Sequence, residues 1–516
     1  MADAQTIKPA DAPARPHANA SADSAANGDE ALRSKYAHFD RHINRLSRRR
    51  VPSPLKDILQ FIHLDGMISL AGGLPHPSLF PFDSVHISTY DSSTRMATDP
   101  VEIAKVDVCV EKQPSSHSTD LRTALQYGPF NGIKPVMDWM HSFIERVYAP
   151  AYQDWQLLMD GGSTDGWAKV AGMLLEEEDV ILVEAHTFPS GQALWVPMGV
   201  TAAPVDIDMY GLVPDALSRV LDNWETKLPN KRKPKVLYCV PVGHNPTGST
   251  LSVERKRAIY EICVQHDIII VEDDPYYFLQ LPAYKPGGDR SLPPTAHSPD
   301  EFLAGLVPTF LHLDREGRVI RLETVSKTLA PGFRLGFIVS NPLFHERLGR
   351  ATEVLTQTAS GWSQAIFCEL VHTWGQVGYL RWLAGISETY TVRRDWMGAP
   401  RSTPLFRFVP PNSGMFLWLD LDLRTHPARE RICKADAQGI PGEEIWAAAF
   451  WRKLLDARLL LAPGTYNKPW QGAARSAASN APGHAFFRLT YSSTPRGEIH
   501  EGIRRMADVF RENWAA

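Results

Sequence analysis

Three polar clusters in the sequence each follow a short apolar run. The run IIIV precedes EDDPYY at 272–277, the run VLYCVPV precedes GHNPTG at 243–248, and the run RLETV precedes Ser326 and Lys327. Carboxylates, phenols and amines of these types can move protons, and a lysine that loses its proton can bond covalently to a carbonyl carbon. Together the clusters predict acid–base and covalent chemistry on a small molecule.

Each cluster taken alone has a structural explanation. NPTG makes a good turn, because Asn bonds locally and Pro presets φ. Acidic residues after a strand are often helix caps, and a Ser-Lys pair is usually a surface feature. We interpret Asp274 in this way, as a cap or a supporting residue. The order and spacing of the three clusters together favour a functional site.

The elements around these clusters alternate between helical periods and short apolar runs from about residue 121 to residue 371. Strands that alternate with helices predict a mostly parallel sheet covered on both faces, an α/β fold. Functional groups of such sheets collect at the carboxyl ends of the strands. The three clusters are therefore expected at one edge of the sheet.

The pattern changes along the rest of the chain. Residues 1–50 are rich in Ala, Pro, Ser and Asp and are predicted to form a disordered arm. Residues 51–120 are expected to contribute to a small domain and to the active site. A large domain is predicted over 121–375, and a smaller α+β domain over 376–516.

The motifs resemble those of a known family. NPTG, EDDPYY, and SK with Arg334 seven residues beyond Lys327, are similar to the motifs of fold-type I aminotransferases of classes I and II, which bind pyridoxal 5′-phosphate (PLP). The segments VPVGHNPTG, VEDDPYYFLQ and SGMFLWL resemble the branch that acts on aromatic amino acids, 2-aminoadipate and kynurenine. The resemblance runs from about Val51 to the C-terminus. It implies a seven-stranded type of sheet between helices, with a smaller α+β domain.

The resemblance also implies roles around the cofactor. Lys327 would bond to the cofactor aldehyde and move protons, and Asp273 would pair with the pyridine nitrogen. Asn245 and Tyr276 would donate to the phenolic oxygen, and Phe188 would cover the ring, where much of the family has Tyr. The phosphate would be held by Ser163, Thr164, Thr324, Ser326 and Arg334.

Substrate recognition is implied at fewer positions. Arg488, in FFRLTYS, matches the arginine that binds the substrate α-carboxylate, and Asn245 would contribute. Gly73, with its neighbours Gly72 and Leu74, and Tyr127 would approach the site across the interface of a homodimer. Lys56 stands near the place where relatives acting on 2-aminoadipate carry an arginine. A lysine lacks the bidentate fork, which favours aromatic substrates.

Composition limits the other classes of function. The chain has 516 residues and a formal net charge of -4, without a basic stripe for nucleic-acid phosphates. We expect neither a nucleic-acid nor a membrane partner, and the apolar runs are too short to span a bilayer. Five scattered cysteines predict reduced thiols and no metal site. The early acidic residues argue against a mitochondrial transit peptide, so a cytoplasmic protein is expected.

The leading hypothesis is a PLP-dependent transaminase that moves the amino group of an aromatic amino acid to a 2-oxo acid such as 2-oxoglutarate by a ping-pong mechanism. 2-Aminoadipate and kynurenine remain alternative donors. A PLP-dependent lyase or decarboxylase remains an alternative on the same fold. A PLP-binding transcription regulator is a third hypothesis, but the segment before Val51 is too short for a DNA-binding domain.

Overall fold

The computed structural model describes residues 34–52, 61, 64–68, 70–94, 104–113, 119–285, 298–398, 406–432, 434, 440–470 and 482–514. Its strands are β1 Ser84–Tyr90, β2 Lys105–Glu111, β3 Gln156–Asp160, β4 Val180–Glu184, β5 Thr201–Val205, β6 Ile207–Asp208, β7 Gly211–Leu212, β8 Val236–Cys239, β9 Ile269–Asp273, β10 Val319–Thr324, β11 Gly336–Ser340, β12 Phe406–Arg407, β13 Phe416–Asp422, β14 Ala462–Pro463 and β15 His484–Thr490.

The helices lie between and after these strands. They are α1 Arg45–Arg48, α2 Leu121–Ala124, α3 Lys134–Tyr148, α4 Ser163–Leu174, α5 Pro189–Trp195, α6 Pro214–Asp222, α7 Trp224–Lys227, α8 Val253–Gln265, α9 Pro299–Ala304, α10 Phe310–Leu313, α11 Pro342–Leu355, α12 Gly361–Trp396 with a break at Gly375, α13 Arg429–Ile432, α14 Gly442–Asp456 and α15 Arg496–Trp514. Short 3-10 turns include Ala37–His42, Val325–Lys327 and Pro331–Phe333. None of these helices is long and apolar enough to cross a membrane.

A seven-stranded sheet in the order β3-β11-β10-β9-β8-β4-β5 forms the core. Neighbouring strands from β10 to β5 pair in parallel, and β11 alone runs against both of its neighbours. Every residue of β4, β8, β9 and β10 is buried. Strands buried on both faces are typical of an α/β sheet covered by helices. The α/β fold predicted from the alternating pattern is therefore confirmed.

A second sheet is smaller and antiparallel, in the order β12-β13-β15-β14. Helices α14 and α15 pack near it, with α14 contacting β15. A separate hairpin, β1 with β2, contacts the long helix α12. The small α+β unit expected after the large sheet is thus present.

The expectation of a disordered arm is wrong for residues 34–50. Tyr36, Phe39 and Ile43 are buried in the core cluster of the large sheet. The Asn44 side chain donates to the carbonyl oxygens of Gly172 and Leu175, which binds this segment to the C-terminal end of α4. The apolar spacing of 36, 39 and 43 is a helical signal that the polar composition of residues 1–33 obscured. Residues 1–33 lie outside the described structure.

Candidate active site

A cavity of about 360 Å³ opens where the carboxyl ends of the central strands meet the small sheet. It is lined by the predicted residues Ser163, Thr164, Phe188, Asn245, Asp273, Tyr276, Thr324, Ser326, Lys327, Arg334 and Arg488. Residues far apart in sequence meet here because parallel strands end at a common edge. In the parallel pairing of β9 with β10, Asp273 stands beside Leu322, two residues before Thr324.

Lys327 ends the 3-10 turn that follows β10. The Thr324 hydroxyl accepts a hydrogen bond from the Ser326 backbone N–H and starts this turn. Burial lowers the pKa of Lys327, and the positive charge of Arg334 lowers it further. A lysine with a lowered pKa has more of the free amine form, which is the form that attacks a carbonyl.

One end of the cavity is built to hold an anion. The Thr324 and Ser326 hydroxyls lie 2.7 Å apart, and Arg334 donates to Ser326 Oγ at 3.3 Å and to the Gly161 carbonyl at 2.8 Å. Helix α4 begins at Ser163, so its free backbone N–H groups point to the same place. The Ser163 Oγ atom is buried without a hydrogen-bond partner. A phosphate group fits this set of donors.

Glycines allow the backbone to close around this anion site. Gly162 has a φ of 98°, and a Cβ there would lie 2.9 Å from Arg334 Nη2. A Cβ on Gly336 would lie 2.4 Å from the Glu323 carbonyl oxygen and 2.7 Å from Gly162 Cα. Strand β11 and the loop before α4 can therefore approach each other only because both residues lack a side chain.

Asp273 ends β9 deep in the cavity wall. Its Oδ2 atom accepts a hydrogen bond of 2.6 Å from the Tyr238 hydroxyl, whereas Oδ1 is buried without a hydrogen-bond partner. Burial raises the pKa of Asp273 to about 7, while the hydrogen bond from Tyr238 opposes that rise. A buried carboxylate oxygen with an unused lone pair fits a ring N–H, as a protonated pyridine would provide.

Arg488 extends from β15 of the small sheet towards the large domain. Its Nη1 donates to Asn245 Oδ1 at 2.7 Å, and its guanidinium lies 4.6 Å from the centre of the Phe416 ring. Among the described residues Arg488 bonds to an amide oxygen and pairs with no carboxylate, and burial lowers its pKa. A half-buried arginine without a carboxylate partner is suited to bind the carboxylate of a ligand in a bidentate manner.

Phe188 and Tyr276 complete the wall. Phe188 precedes α5 and lines the cavity with its ring half-buried. An aromatic ring in this place can stack on a planar ligand. Tyr276 is buried next to Asp273, and burial followed by the charge of Asp273 raises its pKa. It remains a protonated hydrogen-bond donor at neutral pH.

The structure does not bring two of the predicted substrate residues to this cavity within one chain. Gly73 and Tyr127 are exposed and do not line the cavity, and 65% of Tyr127 is accessible. Gly72 and Leu74 are exposed as well. Lys56 lies outside the described residues.

An ionic network behind Asp273 was missed by the sequence interpretation. The guanidinium of the fully buried Arg321 contacts Glu272 at 3.1 Å, Asp274 at 2.9 Å and Glu323 at 2.8 Å. Asp274 is therefore one carboxylate of a buried ion cluster and caps no helix. The sequence did contain a signal, because Glu272 and Arg321 are charged residues in apolar runs, and buried charges need partners. The strand register places the two residues side by side.

Tyr238 was also missed, because it stands inside an apolar run and has the burial of a core residue. Its ring packs on Trp167 with 4.7 Å between ring centroids. Only the three-dimensional pairing of β8 with β9 reveals its hydroxyl as the partner of Asp273.

Comparison with known proteins identifies relatives along most of the chain. Residues 98–506 match the family model described as aminotransferase class I and II. An aromatic amino acid aminotransferase of Schizosaccharomyces pombe is 35% identical over 482 residues, which cover 92% of this chain and 98% of that protein. An L-tyrosine:2-oxoglutarate aminotransferase of Serpula lacrymans is 33% identical and covers 86% of each chain.

A solved structure shares the fold. The aminotransferase Aro8 from Candida albicans superposes with a TM-score of 0.84 at 33% identity, covering 92% of this chain and 98% of that one. The likeness spans both the large sheet and the small one.

Proposed function

Since the chain belongs to the class I and II aminotransferase family, we propose that its cavity binds PLP and that Lys327 bonds covalently to the cofactor aldehyde. The chain is an aminotransferase, and its family implies this cofactor. The observation that carries the proposal is the meeting of Lys327, Asp273 and Arg334 in one cavity. A cofactor-free role would have no use for an amine, a buried carboxylate and an anion site in this arrangement.

The cofactor, when bound, withdraws electrons from the substrate Cα and accepts the amino group. The residues of the chain hold it for this purpose. Arg334, Ser163, Thr164, Thr324 and Ser326 bind the phosphate, and Asp273 Oδ1 accepts the pyridine N–H. Phe188, which lines the same cavity, would stack on the ring.

Asn245 and Tyr276 donate to the phenolic oxygen of the cofactor, and Lys327 carries the proton. Once the substrate amine has displaced Lys327 from the cofactor, the lysine would be a free amine, and its lowered pKa would let it take a proton from the substrate Cα and return it at the cofactor C4′. Arg488 holds the substrate α-carboxylate, which orients the Cα–H bond towards Lys327. The same residues serve both halves of a ping-pong reaction.

We propose an aromatic amino acid as the donor and a 2-oxo acid such as 2-oxoglutarate as the acceptor. The names of relatives that match 86% or more of this chain support this choice. 2-Aminoadipate and kynurenine remain donors to be compared with tyrosine and phenylalanine. Lyase and decarboxylase activities on the same fold are not favoured by these relatives.

We also propose a homodimer in which Gly73 and Tyr127 complete the site of the partner subunit. Support comes from apolar side chains that the single chain leaves open, since Leu70 is 96% and Leu79 is 76% exposed. Exposed apolar surface of this kind is typical of an interface. The four cysteines among the described residues are free thiols, which supports a reducing compartment such as the cytoplasm.

The absorbance spectrum of the purified protein tests the proposal. With PLP, the band of the lysine-bound cofactor should appear in the wild type and be lost in Lys327→Ala. Addition of tyrosine should convert it to the amine form of the cofactor, and 2-oxoglutarate should restore it. Release of ammonia or carbon dioxide from the donor would instead establish a lyase or a decarboxylase.

A further inference from the structure

We infer that Tyr238 is a positioning residue that holds Asp273 by Oδ2, presents Oδ1 to the ring nitrogen of the ligand, and keeps the proton on that nitrogen. This inference rests on the proposed function, because the ring nitrogen belongs to PLP. It assigns a role to a tyrosine that the sequence marks only as a core residue.

Two neighbouring strands create the contact. Tyr238 lies on β8 and Asp273 ends β9, and the parallel register places Tyr238 beside Val271. The Tyr238 hydroxyl donates to Asp273 Oδ2 at 2.6 Å, and both side chains are buried. With Oδ2 engaged, Oδ1 is the oxygen left for the cavity; it makes no hydrogen bond to the described residues, and the Ser163 hydroxyl is the other donor near this carboxylate. The carboxylate can therefore meet the ring in one orientation.

The tyrosine ring is itself confined. It packs between Trp167 and Trp195, with ring centroids 4.7 Å and 5.9 Å away. Trp167 Nε1 donates to the Gly191 carbonyl at 3.1 Å and fixes the start of α5. A Cβ on Gly191 would lie 3.2 Å from the Tyr238 hydroxyl oxygen, so the absence of a side chain there leaves room for the hydroxyl.

The direction of this hydrogen bond is defined by the charges around it. Burial, followed by the charge of Asp273, raises the pKa of Tyr238 well above its usual range, so the phenol stays protonated and donates. The polar and charged side chains that interact with Asp273 are those of Tyr238, Ser163, Asp274, Arg321 and Tyr276. Of these, Tyr238 most strongly opposes the effect of burial on the pKa of Asp273.

This donor sets the position of the shared proton. A carboxylate that accepts a hydrogen bond at Oδ2 is a weaker base at Oδ1, so a proton between Oδ1 and the ring nitrogen stays on nitrogen. Without the phenol, the buried carboxylate becomes more basic and draws the proton to itself. The ring would then lose the positive charge that makes it an electron sink. Because the phenol is neutral, it donates a hydrogen bond to the carboxylate without adding a positive charge. The protonated ring therefore remains free to pair with Asp273.

The test compares Tyr238→Phe with Tyr260→Phe in the PLP-loaded enzyme. Tyr260 is a matched control, because its hydroxyl donates to the buried carboxylate of Asp314 at 3.1 Å and it does not line the cavity. PLP labelled with ¹⁵N in the ring is bound, and the ¹⁵N chemical shift at neutral pH reports whether the ring nitrogen carries the proton. Wild type and Tyr260→Phe should give the pyridinium shift.

Tyr238→Phe should move the shift towards that of neutral pyridine, because loss of one hydrogen bond to a charged group changes the ratio of the two protonated forms by about tenfold or more. Gly191→Ala should move it in the same direction by a smaller amount, since a Cβ 3.2 Å from the hydroxyl oxygen shifts the hydroxyl by a few tenths of an ångström while Tyr238 is retained. A packing role alone would alter stability and leave this shift unchanged.

The outcomes separate this inference from the function on which it rests. If the wild type binds labelled PLP through Lys327 but Tyr238→Phe and Gly191→Ala retain its ¹⁵N shift, Tyr238 does not set the proton position and the inference is wrong. If Tyr260→Phe shifts equally, the effect is general and the inference is again wrong. If the wild type forms no lysine-bound cofactor, the proposed function fails and the inference fails with it.

Discussion

Replacement of Arg321 with methionine removes the only cation that contacts Glu272, Asp274 and Glu323 in the described part of the chain. Methionine keeps most of the aliphatic volume but leaves the carboxylates buried without this partner. The side chain of Arg321 is fully buried, and its guanidinium also lies 4.4 Å from the centre of the Tyr148 ring. The substitution therefore affects the ends of β9 and β10, which carry Asp273 and Thr324.

The expected loss is large. Removing one partner of a buried ion pair destabilises a protein by about 3–5 kcal/mol, because an uncompensated charge stays in the interior. Three carboxylates share Arg321, so the loss should lie at the upper end of that range where all are ionised. An exposed pair is worth about 0–1 kcal/mol. Arg504→Met, which breaks the exposed pairs with Glu501 and Asp508, is the matched control.

The loss should depend on pH in a defined direction. Burial raises the pKa of Glu323 to about 7 and also raises that of Asp274, and Arg321 opposes both rises. Without Arg321 these folded-state pKa values rise further above their unfolded values near about 4. A carboxyl with a raised folded pKa contributes less stability as pH increases from the unfolded to the folded value. The variant should therefore be weakest in alkaline solution.

Urea unfolding followed by tryptophan fluorescence measures this effect. The difference in unfolding free energy between wild type and Arg321→Met should be several kcal/mol at about pH 8 and clearly smaller at about pH 5.5. A loss below about 1 kcal/mol at the higher pH, or an equal loss at both pH values, would refute the reasoning about the buried cluster.

Other predictions concern the cavity. Arg334→Met should weaken PLP binding by about tenfold or more and the binding of pyridoxal, which lacks the phosphate, by clearly less, since Lys327 loses only the nearby charge that lowers its pKa; equal losses in the two titrations would contradict the anion site. Arg488→Lys should lower kcat/KM for the amino donor by about tenfold or more with unchanged PLP affinity, because the bidentate fork is lost; a kinetic constant like that of wild type would remove Arg488 from substrate binding. Gly336→Ala should weaken PLP binding, measured by the same titration, because its Cβ would lie 2.7 Å from Gly162 Cα; wild-type affinity would show that the anion site tolerates the displacement.

The position of the site was predictable because it follows from the sheet. Asp273 and Lys327 come directly after apolar runs, and parallel strands bring such positions together. The resemblance of the motifs to a known family then supplied Arg334 and Arg488 with roles. The strand ends and the motifs can be recognised without knowledge of side-chain packing, so the sequence alone is enough to predict where these residues meet; their roles stay predictions.

Features that depend on packing across strands were not predictable in the same way. Tyr238 differs from an ordinary core tyrosine only in what its hydroxyl meets on β9. Phe39 and Ile43 lie next to a long polar segment, whose composition concealed their apolar spacing. Gly73 and Tyr127 remain predictions, because their proposed site belongs to a second copy of the chain.

Identification of the lysine that carries the cofactor tests the central proposal most directly. The enzyme is loaded with PLP and treated with borohydride, which makes the bond between lysine and cofactor permanent, and its peptides are sequenced by mass spectrometry. The peptide containing Lys327 should gain the mass of the reduced cofactor, and Lys327→Ala should gain it at no position. Modification of another lysine in place of Lys327, in an active enzyme, would contradict the central proposal.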